Sequence, residues 1–67
     1  MSLDFQKSIE TIRAMQDTLL NDAYSDEADA DHYAEMQELI DVLSTKNVIA
    51  SINTAENLGL DKALVWT

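Results

Sequence analysis

Residues 30–44 read Ala-Asp-His-Tyr-Ala-Glu-Met-Gln-Glu-Leu-Ile-Asp-Val-Leu-Ser. His32, Tyr33, Met36, Leu39, Ile40 and Leu43 recur at three- and four-residue spacing. That period places them on one side of an α-helix. Asp31, Glu35, Glu38 and Asp41 fall on the opposite side. Glu27 joins them if the helix begins at Ser25. One face is therefore built for a core, and the other carries only negative charge.

Working back toward the N-terminus, residues 3–23 show the same period. Phe5, Ile9, Ile12, Met15, Leu19, Leu20 and Ala23 share a face, with Lys7, Glu10, Ala14, Asp17 and Asn21 opposite. Ser2 or Asp4 can cap this helix. Arg13 and Asp17 form an i,i+4 pair worth a few tenths of a kcal/mol. Two amphipathic helices with a short connection form an antiparallel hairpin. Either Ser25 or Asp29 caps the second helix; Asp29 would lie inside the apolar arc of a helix begun at Ser25, which favours Asp29. Acids at that end are stabilised by the partial positive charge of a helix N-terminus.

Toward the C-terminus, Val48, Ile49, Ile52, Ala55 and Leu58 fit a third helix over residues 46–58, closed by Gly59 as a left-handed cap. The competing reading is a short strand, Val48 to Ile52, paired with Ala63 to Trp66 as a hairpin. Residues 60–67 then form a short helix or an extended strap, with Trp66 packed on the bundle. The expected fold is all-α: a helical hairpin closed by a third helix, with a docked C-terminal segment. The single Gly, the absence of Pro and a hydrophobic content of 46% agree with long helices and argue against acidic disorder.

The chain has 67 residues, enough for one small domain. A core of this size contributes roughly 3–5 kcal/mol. Homodimerisation would add buried area, and Phe5, Ile12, Leu19, Met36 and Leu43 are the seam it would use. The lack of Cys and the single His exclude disulfide scaffolds, thiol catalysis and zinc fingers. No apolar stretch approaches the ~20 residues of a membrane span, and Met1 to Phe5 lack the features of a signal peptide. A cytoplasmic location is expected.

The formal charge is −9, and its location matters more than its size. Asp4 and Glu10 balance Lys7 and Arg13; Glu56 and Asp61 balance Lys46 and Lys62. The imbalance comes from Asp17, Asp22, Asp26, Glu27, Asp29, Asp31, Glu35, Glu38 and Asp41, and no Lys or Arg occurs from Ala14 to Thr45. A solvated helix face usually mixes both signs, because like charges one turn apart repel by a few tenths of a kcal/mol. Carboxylates four residues apart lie about 6 Å apart along the axis, comparable in order of magnitude to phosphates along a strand. Such a ridge suits a basic groove that otherwise accepts nucleic acid. Asp22, Asp26, Glu27, Asp29, Asp31, Glu35, Glu38 and Asp41 are the candidate binding residues. The competing reading is that the acids only keep the protein soluble.

In size and charge the chain is similar to the small acidic helical proteins that imitate DNA and block restriction, repair or CRISPR machinery, many of them encoded by phages. That likeness implies a non-enzymatic inhibitor whose partner is a nucleic-acid-binding protein. Other chemistry fits poorly. An EF-hand loop begun at Asp29 would put Tyr33, Ala34 and Ile40 where a ligand, Gly and Glu are required. Asp29-x-x-His32 is one half of a di-iron pattern that needs two. The Asp-Ser-Leu attachment motif of acyl carrier proteins is missing at both Ser2 and Ser25. No cofactor, metal or direct nucleic-acid contact is expected.

Overall fold

The computed structural model describes residues 1–21 and 27–67, with the backbone alone for residues 27–29. A two-residue strand, β1 (Leu3–Asp4), leads into α1 (Phe5–Asn21). Then follow α2 (Glu27–Ser44), α3 (Val48–Leu58), a 3-10 turn (Asp61–Ala63) and a second strand, β2 (Val65–Trp66). The three helices form the small bundle that the apolar spacing predicts, and the C-terminal segment docks onto it.

Local chemistry explains the helix ends. The Asp4 carboxylate accepts the Lys7 amide at 2.9 Å, which identifies Asp4 as the cap of α1. Asn47 does the same for α3, accepting the Ala50 amide at 3.0 Å. Gly59 ends α3 with φ 72°, and the amides of Gly59 and Leu60 reach back to the carbonyls of Glu56 and Ala55. That pair of bonds is a Schellman cap, with Leu60 and Ala55 both buried. Residues 48–58 are therefore helical, and the strand alternative for Val48 to Ile52 does not hold. Continuous α-helix leaves no extended segment there to pair with the tail.

The core forms where α1 meets α2. Ile12, Leu39, Ile40 and Leu43 are essentially inaccessible, with Met36 beside them. Ala55 of α3 and Leu60, Ala63 and Leu64 of the tail close one side, and Leu3 of β1 closes another. Three polar residues are also buried: Ser8, Gln16 and Ser51. Gln16 Nε2 donates to the Tyr33 carbonyl and to Gln37 Oε1, each at 3.3 Å, joining α1 to α2.

The tail returns to the start of the chain. β1 and β2 pair antiparallel, Leu3 opposite Trp66 and Asp4 opposite Val65. Ser2 and Thr67 exchange both backbone bonds, at 3.0 and 2.8 Å. The Val65 amide donates to Ser8 Oγ at 2.8 Å. The tail thus combines a 3-10 turn with an extended strap. Trp66 is not buried as the sequence predicts: the residue stays 43% exposed. Backbone pairing with Leu3 fixes this end without burying the indole.

Three further local expectations change. Leu20 remains 60% exposed at the last turn of α1, although its spacing places it with the core residues. No ion pair joins Arg13 to Asp17; among the described residues the one ion pair is His32 with Glu35. Asp29 lies within α2, two residues after its start, and is not its cap.

Candidate functional site

The acidic residues are carried by α2, whose orientation is set by its opposite face. Met36, Leu39, Ile40 and Leu43 are buried against α1 and α3. Asp31, Glu38 and Asp41 are consequently exposed, and Glu35 is partly so. Asp31 to Asp41 spans ten residues, or about 15 Å of helix axis. The backbone of α2 continues one turn further toward its start, to Glu27.

Glu27 and Asp29 belong to the first turn of α2, where the backbone alone is described. Of the eight candidate residues, Asp22 and Asp26 lie outside the described residues. The ridge whose side chains the structure describes thus consists of Asp31, Glu35, Glu38 and Asp41.

Two side chains that are not acids touch the ridge. His32 Nδ1 lies 3.4 Å from Glu35 Oε2, and His32 itself is exposed. Glu35 is its partner among the described residues. Gln37 Nε2 donates to Asp41 Oδ1 at 3.2 Å. No Lys or Arg forms an ion pair with these carboxylates among the described residues. The face is a field of one sign held on a rigid element, with the Gln16–Gln37 contact tying its C-terminal part to α1.

Among the described residues no group of three or more His, Asp or Glu side chains is placed to hold a metal ion. No described helix is long and apolar enough to cross a membrane. The seam envisaged for a dimer is largely occupied: Ile12, Met36 and Leu43 are buried within a single chain, leaving Phe5 and Leu19 half-buried at its edge.

Sequence reasoning missed the buried polar residues, of which Gln16 joins α1 to the ridge-bearing helix. Ser8 and Gln16 lie four residues either side of the core residue Ile12, so the spacing signal existed. The polarity of Ser8 and Gln16 hid it. Comparison with protein-family models, curated proteins and solved structures returns no match.

Proposed function

We propose that this protein is a non-enzymatic acidic binder that presents the exposed face of α2 to a basic protein surface. In its most specific form it imitates nucleic acid and occludes the groove of a DNA- or RNA-binding protein, as counter-defence inhibitors of phages do. The observation that carries this reading is the alignment of Asp31, Glu35, Glu38 and Asp41 opposite the buried face of α2, without a Lys or Arg partner among the described residues. A one-signed field of this kind steers association with a complementary surface.

The proposal has a direct test. Reversing Glu35 and Glu38 to Lys should abolish binding to the partner and leave the helical content intact or slightly higher. Binding of the native chain should weaken steeply with added salt, as counterion-linked contacts do. Binding that survives the double reversal would place the interface elsewhere.

A further inference from the structure

The start of α1 and the end of α2 border a cleft of about 320 Å³. Its apolar lining comes from Phe5, Ile9 and Leu43. Two cations, Arg13 and Lys46, and one carboxylate, Glu10, complete the chemistry of its edge. The chain has only four Lys and Arg residues, so half of its cations meet at this one place. Neither forms an ion pair among the described residues, although Glu10 stands three positions before Arg13.

Lys46 is unusual in a second way. Its φ is 59°, in the left-handed region, two residues past the end of α2. The chain solves the same geometry after α3 with Gly59 at φ 72°. Glycine occupies such positions without steric cost, whereas a lysine is strained there. A cation at a helix C-terminus gains some favourable interaction with the helix dipole. That interaction accounts for a positive charge near this end. It does not account for an apolar lining bordered by a second cation from a different helix.

We propose that this cleft binds a small carboxylate with an apolar body. The apolar part would lie on the half-buried Phe5 and Ile9, above the buried Leu43, and the carboxylate would be shared by Arg13 and Lys46. The volume falls at the lower end of small-molecule sites, which begin near ~300 Å³. Two cations converging on one anion supply charge-assisted hydrogen bonds, the stronger kind. The acids of α2 lie on the opposite side of that helix from Leu43, so the cleft's own carboxylate, Glu10, is the group that opposes the ligand. This site does not depend on the acidic face of α2 having a partner.

Octanoate is a suitable probe, with octanol as its uncharged counterpart. Methyl resonances of Ile9 and Leu43 would be followed by NMR during titration of each. Octanoate should shift both saturably and bind about a hundredfold more tightly than octanol, the worth of two charge-assisted contacts. Arg13→Gln and Lys46→Gly should each weaken octanoate by about tenfold, and Glu10→Gln should tighten it. Lys46→Gly should melt at or above the temperature of the native chain, so its loss of binding cannot be unfolding. The proposal is overturned by equal binding of octanol and octanoate, by shifts at methyls elsewhere, by no saturable shift, or by an unchanged affinity in Lys46→Gly.

Discussion

Gln37 connects the core to the acidic face: its Nε2 donates to Asp41 Oδ1 at 3.2 Å while its Oε1 accepts from the buried Gln16 at 3.3 Å. The exposed carboxylate is thus held by a chain of two amides that begins inside the bundle. Gln16→Ala should cost about 1–2 kcal/mol, from the lost bonds and the vacated volume. Gln16→Met fills that volume without a polar group and should stay within about 1 kcal/mol of the native chain. Chemical denaturation of the two variants checks this.

Two buried serines have opposite expected roles. Ser8 Oγ accepts the Val65 amide at 2.8 Å and so fastens the tail to α1. Ser8→Ala leaves that amide without its acceptor and should cost about 1 kcal/mol, or ~4–8 °C in melting temperature. Ser51 Oγ is buried with no hydrogen-bond partner among the described residues. Ser51→Ala removes an uncompensated polar atom and should be neutral or stabilising by up to about 1 kcal/mol. Thermal melts of the pair should move in opposite directions or leave Ser51→Ala unchanged.

Gly59 isolates a backbone effect. A Cβ there would meet no atom within 4 Å, so steric exclusion by neighbours plays no part. Its φ of 72° alone penalises substitution. Gly59→Ala should lose about 1–2 kcal/mol, and Gly59→Asn less, because Asn tolerates the left-handed region. Equilibrium unfolding distinguishes the two.

Salt should act on folding and on binding with opposite signs. Like-charge neighbours on α2 repel, so screening should raise the melting temperature of the free protein as ionic strength increases. The same screening should weaken any complex made through that face. Glu35→Lys together with Glu38→Lys converts repulsive neighbours into attractive ones with Asp31 and Asp41. That variant should gain a few tenths of a kcal/mol per pair and lose most of its salt response. Melting curves across a salt series provide the check.

The sequence made some parts of this molecule plain and concealed others for identifiable reasons. The two long helices were legible because Ile9, Ile12, Met15 and Leu19, and then Met36, Leu39, Ile40 and Leu43, repeat a local period. Asp4 and Gly59 were legible because capping is chemistry within a few residues. The β1–β2 clip was not, since strands of two residues have no period and Leu3 pairs with Trp66 at the other end of the chain. Trp66 was misplaced for the same reason: the clip is held by backbone, and burial of the ring is not required. Ser8, Gln16 and Ser51 were missed because only tertiary contact makes a polar residue interior. The acidic face of Asp31, Glu35, Glu38 and Asp41 followed from register alone.

The central claim is that the acidic face of α2 is a binding surface and not only a solubilising one. It is tested most directly by capturing proteins, at low salt, from a lysate of the cells that express this chain. Native chain and the Glu35→Lys, Glu38→Lys variant would serve as parallel baits, with duplex DNA added as competitor. The account predicts a basic protein held by the native bait, released by duplex DNA and absent from the variant. The same proteins on both baits, or a native complex indifferent to duplex DNA and to salt, would contradict it.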